Sequence, residues 1–241
     1  MPHRNVYNQS KGERGFDVWR WLAWASLAAF VFIHSASGFA AELSAEAIAK
    51  QIKTSGLEDE MISVMDLKAL PPSSSHPALT AFKVVYPSGY APFGLDGAGG
   101  VYHLLSDGRV LYIDSEGLAG VVAANFQEFV GMATGLPGWQ DALKFVGKDD
   151  LEAARADWTA FVKKWDLDGR RRCPWPSEQK PYFHYTTKTP AEASSAILAH
   201  FKAPALRDPF AKLHEAVHKL NSDVSVTCDK CDGEPFQLFG R

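Results

Sequence analysis

The chain has 241 residues, with 25 Lys and Arg against 28 Asp and Glu; from Trp21 onward the count is 21 basic against 26 acidic, a net of −5. At 46% hydrophobic and 22% charged it can build a core without disulfide or metal staples. The one basic run is Arg170, Arg171 and Arg172, so the concentrated positive face that phosphate binding needs is missing, which argues against nucleic acid as the main ligand.

The amino terminus differs from the rest. Residues 1–20 are polar with a basic bias, Trp21 to Ile33 are thirteen apolar or small residues, and Ser35 to Ala41 are small apart from Phe39. This is the layout of a secretory signal peptide with Ala40 or Ala41 at the cleavage edge, so the expectation is export or a periplasmic location. The apolar run makes roughly 20 Å of helix against a hydrocarbon core of roughly 30 Å, which places an uncleaved membrane anchor second. A cytoplasmic protein with a wrongly called start is the remaining reading.

Ser44 is placed to cap a helix through about Thr54, with Ala45, Ile48, Ala49 and Ile52 on its apolar face and Gly56 ending it. Leu70, Pro71, Pro72 and the serines after them read as a loop. Ala81 to Tyr86 alternates as a strand, with Phe82, Val84 and Tyr86 on one face. Ala91 to Val130 then reads as a glycine-rich loop, a tight hairpin, a second glycine turn and a short helix. The hairpin joins Val101–Leu105 to Arg109–Ile113 through Ser106, Asp107 and Gly108. It needs another strand or a helix over its apolar face, and 81–86 is the expected strand.

Asn125 caps the next helix, through Met132, and another spans about 138–145 with Trp139, Leu143 and Val146 inward. Leu151–Trp165 is the most strongly periodic segment; its acidic start and lysine-rich end suit the helix dipole, and Trp158, Phe161, Val162 and Trp165 make its stripe. Residues 166–187 are irregular. Thr189 with Pro190 opens a helix to about Phe201, and Pro209 opens one to about Leu220.

The middle stretch resembles the SUKH superfamily. The residues that carry the likeness are Phe93, Gly94, Asp96, Gly97, Gly99 and Gly100 in the loop, Asp107 and Gly108 in the turn, Ile113, Asp114 and Glu116 at the strand end, and Asn125, Phe126, Glu128 and Phe129 at the helix start. That family contains many immunity proteins that bind and neutralise toxins, and a yeast regulator of cell-wall assembly. The resemblance implies a non-enzymatic protein-binding module, bacterial in setting, whose partner is a toxin encoded nearby. Asp96, Asp114 and Glu116 are the candidate partner-binding residues, since carboxylates on strand ends can pair with a basic protein and steer its approach. The plainer reading of Asp96 and Asp114 is that they cap turns.

Two other motifs carry chemistry. His214, Glu215 and His218 spell His-Glu-x-x-His on a predicted helix, the spacing that sets two imidazoles on one face for zinc with a glutamate as general base. Cys228 and Cys231 form a Cys-x-x-Cys. With His214 and His218 they make a two-His, two-Cys zinc site, with Cys173 as another thiolate; in an exported protein the same pair makes a disulfide, and in the plainest reading the thiols stay free. The expectation is therefore no cofactor, with zinc as the exception, and the alternative function is an exported zinc protein, a hydrolase if the histidine motif is catalytic. The glycines at 94–100 precede a strand and not a helix, so they read as turn geometry and not as a phosphate cradle. Asp166, Asp168 and Gly169 open like a calcium loop, but the closing ligands are missing.

The fold class expected is α+β: a small, mostly antiparallel sheet covered by helices, with a helical carboxy-terminal extension. The expected divisions are a signal or anchor at 1–41, the α+β domain at 42–166, a connector at 167–187 and the extension at 188–241.

Overall fold

The computed structural model describes residues 44–70, 82–86, 88–116, 118–167, 186–228 and 237–239. The segment expected to be a signal or anchor, the loop expected after Leu70, most of the expected 167–187 connector, Cys173 and Cys231 lie outside them, as do Asp168 and Gly169 of the calcium-like stretch.

Helix α1 (Ala45–Thr54) starts where the Ser44 hydroxyl accepts the Ala47 N–H at 3.1 Å, and it buries Ala45, Ile48 and Ile52. Helix α2 (Glu58–Met65) was not expected. It has no side-chain cap, but Glu58, Asp59 and Glu60 fill its first turn and suit the dipole, and Met61 and Met65, one turn apart, are fully buried. Burial of those two methionines supplies what a weak amino-terminal signal does not.

The strands are β1 (Lys68–Ala69), β2 (Phe82–Val85), β3 (Tyr90–Leu95), β4 (Val101–Leu105), β5 (Val110–Ile113), β6 (Leu118–Ala123), β7 (Ser225–Cys228) and β8 (Gln237–Leu238). Six of them form one sheet in the order β1-β3-β4-β5-β6-β8, antiparallel except for the β6–β8 pair. The hairpin expected from sequence is β4–β5, with Gly108 at φ 92° in its turn. Its next neighbour is β3 and not the 81–86 strand. Pro92 and Gly94 made β3 read as loop, yet the register breaks between those two residues, and a bulge is where a strand tolerates a proline. The 82–85 strand forms as expected but pairs with β7, Val84 opposite Val226, as a separate two-stranded sheet.

Every residue of β4 and β5 is buried because both sheet faces are covered. Tyr102, Leu104, Val110, Tyr112 and Val122 face the main core. Helix α1 brings Ile48 to it, α3 (Phe126–Gly135) brings Phe129, and α4 (Trp139–Ala142) brings Trp139. Leu105, Leu111, Ile113 and Val121 face a smaller cluster closed by Val84, Val224 and Val226. Strand alternation divides the residues between the two.

Helix α5 (Leu151–Trp165) begins at Asp150, whose carboxylate accepts the Glu152 and Ala153 N–H groups. Its stripe tapers: Trp158 is buried, Phe161 and Val162 are half-buried, and Trp165 is 47% exposed. Helix α6 (Pro190–Phe201) starts at the expected Thr189, with a full capping box between Thr189 and Glu192, and α7 (Pro209–Lys219) opens at Pro209 as expected, capped by Asp208. They are not a separate extension. Ile197, Phe201, Phe210, Leu213 and Val217 enter the main core, β7 and β8 come from the same stretch, and residues from Leu43 to Arg241 form one unit. The apolar faces of α6 and α7 bury themselves on this core, so the expected boundary before residue 188 does not divide the fold.

Candidate functional site

The β3–β4 and β5–β6 loops emerge at the same end of the sheet, where the chain also enters β1. In the first, Asp96 Oδ1 accepts the N–H groups of Ala98 at 2.8 Å and Gly100 at 2.7 Å, and Oδ2 accepts the Tyr112 hydroxyl. Gly99 adopts φ 100°. At Gly100 a Cβ would run into Asp96 Oδ2 and come within 2.9 Å of the Ile113 carbonyl, so only glycine fits. In the second loop Asp114 Oδ1 accepts the N–H groups of Glu116 at 2.9 Å and Leu118 at 2.8 Å, while the Glu116 side chain is exposed. Asp96 and Asp114 thus do the turn-closing work of the plainer reading, and that work holds their charges at fixed places.

A third carboxylate joins them. Asp66 terminates α2 in the left-handed conformation, φ 51°, and its Oδ1 accepts the Gly97 N–H at 3.0 Å. Beneath the carboxylates two tyrosines stack, Tyr102 and Tyr112, with ring centroids 4.9 Å apart. The Gln140 amide donates to both hydroxyls at 3.2 Å, Tyr102 donates to the Asp66 carbonyl at 3.2 Å, and the Trp139 indole donates to the Met65 carbonyl at 2.9 Å. The Tyr112 proton goes to Asp96, so its oxygen is free to accept from Gln140.

Burial raises the Asp66 carboxyl above the usual carboxylate range; the Gly97 N–H works against that and the neighbouring Asp96 charge adds to it. Both tyrosine hydroxyls are pushed well up, by burial first; for Tyr112 the Asp96 hydrogen bond and charge follow, and for Tyr102 the proximity of Tyr112. They are therefore neutral donors at physiological pH, and the negative charge of this end is left without a cation among the groups that bond to it.

The histidine motif is arranged otherwise. His214 and His218 stack at 4.2 Å on α7, as the spacing predicts. Each directs its Nε2 at a backbone carbonyl, Lys148 at 2.7 Å and Val146 at 2.8 Å, so each imidazole donates from that atom and pins the turn before α5. Glu215 lies with Lys212 at 3.0 Å and Lys219 at 3.1 Å. In this geometry the motif anchors a turn and pairs surface charges. It does not aim two ring nitrogens and a base at one point, as hydrolytic zinc chemistry requires. Cys228 ends β7 opposite Phe82 and Cys231 lies outside the described residues. No group of three or more His, Cys, Asp or Glu is placed to hold a metal ion among the described residues.

Sequence reasoning reached Asp96, Asp114 and Glu116 but missed Asp66, Tyr102, Tyr112 and Gln140. The tyrosine pair had a signal: a turn centred on Asp107 sets residues 102 and 112 opposite each other, as observed. Asp66 and Gln140 had none, because nothing local ties a helix end or a one-turn helix to a loop elsewhere in the chain. Compared with known proteins, the chain matches no family model, no curated protein and no solved structure.

Proposed function

We propose that this chain is a non-enzymatic protein-binding module whose acidic sheet end receives a basic partner, and, following its resemblance to the SUKH superfamily, that the partner is a toxin it neutralises. One observation carries the reading. Asp66, Asp96 and Asp114 stand at one end of the sheet, on loops held by their own backbone hydrogen bonds, with Glu116 exposed beside them.

Carboxylates that are already immobilised lose little conformational freedom when a partner docks, and their field draws lysine- and arginine-rich surfaces at enhanced rates. Neutral tyrosine hydroxyls and the Gln140 amide secure the framework without cancelling that field. The test is co-expression with the product of the adjacent gene, followed by isolation of the complex and measurement of its association rate at low and high salt. A stable complex whose association slows steeply with salt, together with protection of cells, supports the reading. No complex and no protection would sink it.

A further inference from the structure

We propose that residues 90–92, the first half of β3, form an acid-released flap, held against β4 beside neutral His103 and freed when that imidazole takes up a proton. His103 is 5% exposed in the centre of the sheet, and its Nδ1 is buried without a hydrogen-bond partner. Protonation would place a second N–H, and a full charge, where no described group accepts them.

Among the described residues, the elements around the ring provide no counter-charge. From β3, Tyr90 meets it edge-on at 5.5 Å between centroids, and the residue opposite is Pro92; from β5 the residue opposite is Leu111. His103 alternates with Leu105 onto the face where the β2–β7 pair packs through Val84 and Val226, and Lys83, next to Val84 in β2 and opposite Thr227, is exposed to solvent. Burial lowers the His103 pKa to about 4, offset only in part by the Val101 backbone.

The same place is where the sheet is most easily opened. Tyr90 and Ala91 are exposed, Pro92 has no N–H to give the ladder, and the register breaks between Pro92 and Gly94. Strand β1 pairs only Leu95 and Gly94, so among the described residues 90–92 have a strand on one side alone. Gly89, at φ 98°, offers a hinge at the outer end, next to the Ser106 N–H bond to its carbonyl. The rest of β3, from Phe93 to Leu95, is buried and stays.

The sign follows from linkage. An opened ring titrates near the ordinary histidine value of about 6.5 and the closed one near 4, so acid favours the open form between those limits. The experiment is amide hydrogen exchange on the full chain from pH 7.5 to 4.5, corrected for intrinsic rates, in the native protein, in H103F, which keeps a ring but cannot titrate, and in H103Q. The expected result is that protection at Ala91, Leu104 and Ser106, whose N–H groups lie between the flap and β4, falls roughly fiftyfold in the native protein, relative to Leu105, whose N–H bonds to Arg109, and stays level in the variants. Equal pH dependence in native protein and variants overturns the proposal. Should neither variant fold, the native pattern decides: loss confined to the flap supports it, and uniform loss or none overturns it.

Discussion

The two ends of the six-stranded sheet carry the same residue type in the same kind of turn and treat its charge in opposite ways. At one end Asp107, in the β4–β5 turn, and Asp223, before β7, close on Arg109. Its guanidinium lies 2.6 Å from Asp107 and 2.7 Å from Asp223, and also donates to the Leu220 carbonyl and the Tyr86 hydroxyl. Hydrogen bonding from Arg109 holds the Asp223 carboxyl below its usual range. At the other end Asp66, Asp96 and Asp114 are held by backbone N–H groups and a tyrosine. Both arrangements fix a loop, but only the first neutralises it. A hydrogen-bond donor without charge secures a carboxylate and leaves its field intact, so the second end remains a place for a basic partner.

The comparison breaks most visibly at Arg109. Arg109→Ala leaves two carboxylates, a carbonyl and a hydroxyl without their shared donor at a side chain only 12% exposed, and it should cost about 3 kcal/mol in chemical denaturation. Arg109→Lys should recover little of this, because one ammonium cannot span a fork of partners on both sides.

Next in size is Gly100→Ala, which sets a methyl against Asp96 and the Ile113 carbonyl and should destabilise by roughly 2 kcal/mol. If the Asp96 turn is the frame of the acidic end, this variant also slows partner association. A normal association rate in a folded Gly100→Ala protein would separate frame from binding surface.

Asp66→Asn sharpens the contrast from the other direction. Burial raises the Asp66 carboxyl, so its ionised form destabilises the fold at neutral pH and ceases to do so as pH falls through the carboxylate range. Asparagine tolerates the left-handed backbone and still accepts the Gly97 N–H. The variant should therefore be more stable than the native protein at pH 7, with the gain vanishing in acid, where thermal unfolding would show the two converge. Smallest in stability is Glu116→Lys, on an exposed side chain, expected within about 0.5 kcal/mol of the native protein. Its effect belongs in the association rate and its salt dependence, and an unchanged rate would remove Glu116 from the surface.

How legible these features were depended on the range of the interactions behind them. The caps at Ser44, Asn125 and Thr189 each join residues three apart, and all stand where a reading of neighbours puts them. The β4–β5 hairpin is equally local. β6, by contrast, read as a glycine turn because Gly120 lies inside it. In the fold that glycine admits the Phe239 ring and the Asn221 amide, whose Oδ1 accepts the Val121 N–H at 2.7 Å, and both come from the far end of the chain. The acidic end divides in the same way: Asp96 and Asp114 belong to local turns and were found, while Asp66 arrives from another helix.

What the order of residues decided alone is where turns, caps and apolar faces fall, and hence that this is an α+β protein with a hairpin near its middle. Tertiary structure decided which strand lies beside that hairpin, that α6 and α7 belong to the same core, and that the histidine motif pins a turn. Those outcomes rest on competition among surfaces distant in the chain for a limited area of sheet, and such a competition has no local periodicity to reveal its winner.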